Sequence, residues 1–146
     1  SNQLATASDL SEAALEQAVI DLMLFTNDRG LRISVRPKKL IIPPQLVFEA
    51  QRVLKSPLRP ASGNNDLNAL KQQGYFEEIT VNHYFTSATA WFVMTDVQDG
   101  MKYFERTADE FKDDSDFDSD NLKYKSTARY SFGWADWRGM YGTAGV

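Results

Sequence analysis

From Leu122 to Phe132 the chain alternates without a break. Leu122, Tyr124, Ser126, Ala128, Tyr130 and Phe132 fall on one side, and Lys123, Lys125, Thr127, Arg129 and Ser131 on the other. A period of two belongs to an extended strand, whose successive side chains point to opposite faces. This stretch therefore commits the chain to a sheet, and it reads as a long, half-exposed strand.

Helical periods lie nearer the start. Leu15, Ala18, Val19, Leu22 and Met23 recur at three- and four-residue steps and form one apolar stripe. Asp9-Leu10-Ser11-Glu12 has the spacing of a capping box, with Asp9 placed to accept from the backbone N–H of Glu12. The expected helix runs over residues 9–26, with Glu12, Glu16, Gln17 and Asp21 on its polar face. It stops at Asn27-Asp28-Arg29-Gly30, where Gly30 can take left-handed backbone. A second helix opens on Pro43-Pro44 and turns Leu46, Val47, Ala50, Val53 and Leu54 inward, until Ser56-Pro57 ends it.

Between and beyond the helices the periods are shorter. Residues 31–35 and 40–42 read as strands, separated by Arg36, Pro37, Lys38 and Lys39. Residues 56–68 form a polar loop, and residues 69–73 a helical turn closed by Gly74. Residues 76–81 and 88–97 read as strands. Asp99-Gly100 is a hairpin signal that would join the second of these to a strand over 101–107. An acidic stretch fills 109–121, and the tail is rich in glycine and aromatics. Helix first, a mixed middle and strands last point to an α+β fold.

A chain of 146 residues suits one ordinary domain. Its 42% hydrophobic and 25% charged residues are a globular balance rather than a disordered one. No apolar run approaches the roughly 20 residues of a membrane-spanning helix. A net charge of −4 argues against a module dedicated to gripping duplex DNA by its phosphates. The absence of cysteine excludes disulfides, thiolate zinc sites and cysteine nucleophiles. Residues 1–6 lack the basic region and apolar core of a signal peptide, and a Ser1-Asn2 start without methionine reads as a piece of something longer.

Chemistry-bearing patterns are sparse. His83 is the sole histidine, and it sits in a strand-edge sequence that suits a structural or surface role. Asp114, Asp116, Asp118 and Asp120 alternate and are weak candidates for a divalent cation. An EF-hand needs Gly at position six and Glu at twelve. Counting from Asp116 those positions are Asn121 and Thr127, and from Asp114 they are Ser119 and Lys125. A solvated hairpin tip facing basic groups on a neighbouring subunit is the simpler reading. Adjacent Glu77 and Glu78 would point to opposite faces of a strand. Arg29, Arg32, Arg36, Lys38 and Lys39 form a basic group suited to a solvated edge or a contact between subunits. No glycine-rich phosphate loop is present. Tyr84, Phe85, Trp91, Phe92, Tyr103 and Phe104 read as sheet core, since a base-stacking platform needs basic neighbours that this region lacks. The pattern favours a structural protein with no catalytic residues and no cofactor. A small calcium-dependent binding module on the Asp-rich loop is the alternative.

Three runs give the order of segments a likeness. Leu40-Ile41-Ile42-Pro43-Pro44-Gln45-Leu46 enters a helix from a strand, and Ala90-Trp91-Phe92-Val93-Met94-Thr95-Asp96 is a buried strand. Phe117-Asp118-Ser119-Asp120-Asn121-Leu122-Lys123-Tyr124-Lys125 leads through Ala128-Arg129-Tyr130-Ser131-Phe132-Gly133 to Asp136-Trp137-Arg138-Gly139-Met140-Tyr141-Gly142. From about Ser8 onward this order resembles the major capsid (major head) proteins of tailed bacteriophages, the Mu-type major head subunit family in particular. The resemblance implies the phage major-capsid fold. Residues 8–29 would be the spine helix of a peripheral domain, 30–100 a mixed α/β axial domain, 101–133 a long β-hairpin of the peripheral domain, and 134–146 a closing axial segment. It implies a structural, non-enzymatic subunit of a phage or prophage icosahedral head that self-assembles into capsomers around a DNA genome, without sequence-specific DNA binding and without a membrane. Its implied partners are identical subunits, with scaffold, portal or decoration proteins as candidates beside them. Its implied place is the virion head, after assembly in the bacterial cytoplasm. Arg36, Lys38 and Lys39, with Asp114, Asp116 and Asp118, are the candidate subunit-interface residues. Family members carry an N-terminal arm and an extended loop ahead of the spine helix, which this sequence lacks. Encapsulin compartments are related shells, and that branch stays open.

Overall fold

The computed structural model describes residues 1–59, 66–115, 118 and 121–145. The chain divides into two compact units, Ser1–Gly100 with the segment from Asp136 onward, and Met101–Ala135.

The first unit is built on a four-stranded sheet of order β2-β1-β3-β6. Strand β1 (Pro37–Ile42) buries Pro37, Leu40 and Ile42. A register shift between Pro37 and Lys39 breaks its alternation, as a bulge does. Strand β3 (Trp91–Thr95) runs antiparallel to β1 and turns Trp91, Val93 and Thr95 inward. Strand β2 (Glu78–Val81) lies parallel to β1 on one edge, and β6 (Met140–Thr143) lies antiparallel to β3 towards the other. Beyond β6, Gly142 N–H donates to the Asn2 carbonyl at 3.1 Å and Leu4 N–H to the Gly142 carbonyl at 3.4 Å.

Helix α1 (Glu12–Met23) lays Ala14, Leu15, Ala18, Val19 and Leu22 into the same core as Leu40, Ile42, Trp91, Val93 and Tyr141. By its contacts it belongs to the sheet unit. Its cap differs from expectation. Ser11, not Asp9, is the N-cap, its hydroxyl accepting from Ala14 N–H at 3.2 Å. The cause is Leu10, only 4% exposed. With Leu10 drawn into the core just ahead of Ser11, it and Leu15 occupy the positions of a hydrophobic staple.

The helix stops at Met23, ahead of the glycine expected to end it. Gly30, at φ +78°, instead closes a turn in which the Asn27 side chain accepts from Arg29 N–H (2.9 Å) and Leu31 N–H (3.0 Å). The strand expected over 31–35 is not formed. Thr26 and Arg32 make one isolated bridge there, and among the described residues the segment makes no further strand pairing.

After a 3-10 turn (Pro44–Leu46), helix α2 (Val47–Lys55) buries Ala50, Val53 and Leu54. Helix α3 (Ala69–Gln73) ends at left-handed Gly74. Buried Asn68 joins the two helices. Its side chain accepts from Lys71 N–H at 3.3 Å, and its amide donates to the Val53 and Ser56 carbonyls.

Asp99-Gly100 does not form the expected hairpin, because both partners of β3 come from elsewhere in the chain. Asp99 takes φ +65°, and a Cβ on Gly100 would lie 2.7 Å from the Gly139 Cα. This turn fits two backbones together instead of reversing a strand.

The second unit is one antiparallel ribbon of β4 (Met101–Ser115) and β5 (Leu122–Trp134). Strand β4 outruns its expected end at 107 and continues into the acidic stretch as far as Ser115. Asp114 lies opposite Lys123, a pair of opposite charges, whereas Lys112 lies opposite Lys125 and Asp113 opposite Tyr124. The expected half-burial of β5 does not occur. Only Thr127 and Gly133 of β5 are even partly covered, and the apolar face stands in solvent. Two strands alone have no layer to cover them.

Candidate functional site

In an antiparallel pair, residues directly opposite share a face. Met101–Trp134, Tyr103–Phe132, Glu105–Tyr130, Phe111–Ser126, Asp113–Tyr124 and Ser115–Leu122 are such pairs, and with the alternating Ala128 they define one face of the ribbon, aromatic but for the acids Glu105 and Asp113. The other face carries Lys102, Phe104, Arg129, Glu110, Lys112, Lys125, Asp114 and Lys123. The ribbon thus has an aromatic face and a mainly charged one.

The aromatic side chains touch one another. Tyr103 meets Phe132 at 5.4 Å and Tyr130 at 5.9 Å between ring centroids, Tyr130 meets Phe132 at 5.6 Å, and Phe111 stacks on Tyr124 at 5.8 Å. Partial desolvation in this cluster, with Glu105 and Asp109 near, holds the Tyr103 phenol above its ordinary pKa. Each ring still stands largely in water, with Phe132 75% and Trp134 72% exposed. Contiguous apolar surface of this kind marks a place where a protein meets something else.

The basic residues singled out in the sequence take different positions. Arg36 and Lys38 line one cleft of about 490 Å³ with Glu77 and Asp96. Asp96 holds that segment, accepting from Arg36 N–H at 2.8 Å and donating its own N–H to the Arg36 carbonyl at 3.0 Å. Lys39 pairs with Glu78 across β1 and β2 at 2.6 Å, and this hydrogen bond keeps the Glu78 carboxyl below its usual pKa. Glu77, just ahead of β2, and Glu78, its first residue, take separate environments. Arg32 donates to the Leu24 carbonyl at the end of α1 (2.8 Å), and Arg29 lies exposed in the following turn.

Of the acidic candidates, Asp114 is exposed on the charged face of β4, and Asp118 is exposed in a turn. Asp116 and Asp120 lie outside the described residues. Among the described residues no group of three or more His, Asp or Glu side chains converges as metal ligands would. His83 is exposed in a turn after β2. Of the aromatic set expected in the core, Trp91 is buried, whereas Tyr84 is 95% exposed and Tyr103 and Phe104 lie on the open ribbon.

Sequence reasoning passed over a second cluster. Arg138, on the 3-10 turn Trp137–Gly139, donates to the Thr26 carbonyl (3.0 Å) and pairs with Asp28 (3.0 Å) and Asp136 (3.2 Å). Its guanidinium lies 4.7 Å from the Trp137 ring centroid, and Trp137 meets Phe25 edge-on at 5.3 Å. Behind it the Tyr141 hydroxyl donates to Asp21. This knot ties the closing segment to the end of α1. Its signal was the run Asp136-Trp137-Arg138, which offers an acid, a ring and a fork of donors together.

Residues 1–143 match a family described as phage capsid protein. No curated protein matches the chain. Among solved structures, a virus-like particle from Pyrococcus furiosus has a similar fold, with a TM-score of 0.55 at 8% sequence identity. The match covers 97% of this chain and 55% of the other, so the chain spans about half the length of that particle's protein.

Proposed function

The chain belongs to the phage capsid protein family, and from that premise we propose that it is a subunit of a phage or prophage icosahedral head, of the Mu-type branch, which assembles into capsomers around a DNA genome. At the coarser level it is a structural shell protein that assembles with identical subunits. The observation that carries the finer reading is the ribbon. A shell subunit needs surfaces that stay open in the single chain and close on assembly, and the aromatic face is such a surface.

In this reading the sheet unit, residues 30–100 with 134–146, is the axial part, and residues 101–133 form the peripheral part. The helix within residues 8–29 is the spine helix of that peripheral part. Arg36 and Lys38 at the cleft, with Lys39 beside them, meet the acidic residues Asp114, Asp116 and Asp118 of a neighbouring subunit. The net charge of −4 suits a wall that encloses DNA without gripping it. Scaffold, portal and decoration proteins are further partners, and assembly takes place in the bacterial cytoplasm.

Negative-stain electron microscopy of the purified protein over a range of concentrations tests this. Rings or closed particles that form with rising concentration are the expected result. Monomers at every concentration and ionic strength would contradict it.

A further inference from the structure

A second surface of the ribbon is built differently from the aromatic face. A cleft of about 680 Å³ is lined by Phe104, Arg106, Ala128, Arg129, Tyr130 and Ser131. A bulge helps to form it. Glu105 lies opposite Tyr130 and Thr107 opposite Arg129, so Arg106 is one residue more than β5 can match. An extra residue of this kind bends its strand and re-aims its side chain. Arg106 and Arg129 thereby line one concavity from two strands.

Phe104 lies opposite Ser131, on the face that carries Arg129. Gly133 makes room for its ring, since a Cβ there would stand 3.4 Å from the Phe104 Cε2. The ring leans over that bare backbone and is still 54% exposed. Charge is sorted as well. Residues 101–135 hold eight acids, yet among the described residues none of them lines the cleft. The ion pair of Lys112 with Glu110 lies further out along β4, and among the described residues neither Arg106 nor Arg129 is held in such a pair.

Two planar forks of donors, a hydroxyl and an open ring suit one class of ligand. A guanidinium meets a phosphate through two parallel hydrogen bonds. An exposed ring beside cations is a platform for an unstacked base. An acidic peptide would use the guanidinium groups and leave the ring without a role. Duplex DNA would do the same, because its base faces are stacked on one another.

We propose that this cleft binds single-stranded nucleic acid, with Arg106 and Arg129 on phosphate and Phe104 against a base. The basic neighbours that a stacking platform needs reach Phe104 from the bulge and from β5. The site does not depend on the shell reading, because it lies within one chain and can be measured without assembly.

Fluorescence anisotropy of dilute protein with a labelled oligothymidylate of about 12 nucleotides, a span such grooves take, tests the site. Two phosphate contacts on a single strand predict that log K falls with log salt at a slope of about −1.4. The double variant Arg106→Ala, Arg129→Ala should bring that slope close to zero and abolish binding at low salt. Phe104→Leu should weaken binding about fivefold or more, as loss of one stacked base does, and leave the slope unchanged. It should also leave binding to a duplex of the same length unchanged. Phe104→Tyr keeps a ring and should keep the affinity. An unchanged far-ultraviolet circular dichroism spectrum shows that the ribbon of each variant is formed.

No binding of the oligonucleotide at low salt would overturn the site, and so would binding that survives loss of both arginines. Binding that needs the arginines but ignores Phe104→Leu, with polyglutamate competing equally, would also overturn it, leaving only a patch for any polyanion. None of these results bears on whether the chain assembles, and a chain that never assembles leaves the site untouched.

Discussion

Strands β3 and β5 carry the same kind of pattern and meet different fates. Trp91 and Val93 of β3 alternate with half-covered residues and are themselves 0% exposed. Phe132 and Trp134 of β5 alternate with Ser131 and Gly133, yet lie more than 70% exposed. The difference is in the neighbours. Strand β3 lies between β1 and β6 with α1 in the same core, whereas β5, among the described residues, pairs with β4 alone. An alternating sequence says that one face of a strand is apolar. It does not say whether this chain or another molecule covers that face.

The contrast can be broken by substitution. The largest effect belongs to Trp91→Ala, which leaves a cavity at the centre of the sheet unit. It should cost about 3–5 kcal/mol, read as a lower midpoint in denaturant unfolding. Gly100→Ala comes next. Its Cβ would fall 2.7 Å from a backbone carbon of Gly139, where neither chain can yield cheaply. A loss of about 1–3 kcal/mol is expected from such overpacking, by the same measurement.

Tyr141→Phe should cost about 1–2 kcal/mol, because Asp21 loses one of its two donors and keeps Gln17. It should also change the pH profile. Burial first, and the Asp21 hydrogen bond and charge second, raise the Tyr141 pKa above its ordinary value. The fold therefore favours the neutral phenol. The Tyr141 contribution is fully present below about pH 10 and is lost as pH rises through the raised pKa. Alkaline titration should destabilise the wild type more steeply than Tyr141→Phe.

The smallest effect sharpens the comparison most. Phe132→Ser removes a ring at an open position, and the stability of the sheet unit should stay within about 0.5 kcal/mol. A change of several kcal/mol in a thermal melt would mean that the ribbon is already part of a core.

Much of the sheet unit was legible in the sequence. The stripe of α1, the inward residues of α2 and the strand at Trp91 all follow from period and composition. The errors share a cause, since each depended on a distant partner. Asp9 lost the cap to Ser11 because Leu10 found room in the core. Residues 31–35 have strand composition but, among the described residues, no neighbouring strand. The acids of 109–115 read as part of a solvated hairpin tip, yet they lie along β4, paired to β5, with Asp114 opposite Lys123. The Asp99-Gly100 signal was local and correct as a turn, but the strand it left was already paired on both sides. For the candidate site, alternation along β5 disclosed the aromatic face. That β4 doubles it, and that it stands open, could be seen only with the ribbon formed.

Amide hydrogen exchange, followed in dilute protein and again in the assembled state, tests the central claim most directly. Strands β1, β3 and β6 should be protected in both states, since their core lies within the chain. Strands β4 and β5 should exchange quickly when dilute and become protected on assembly, since a two-stranded ribbon is marginal alone. Strong protection of the ribbon in dilute monomer would contradict the account, and so would a ribbon that still exchanges freely in the assembled state.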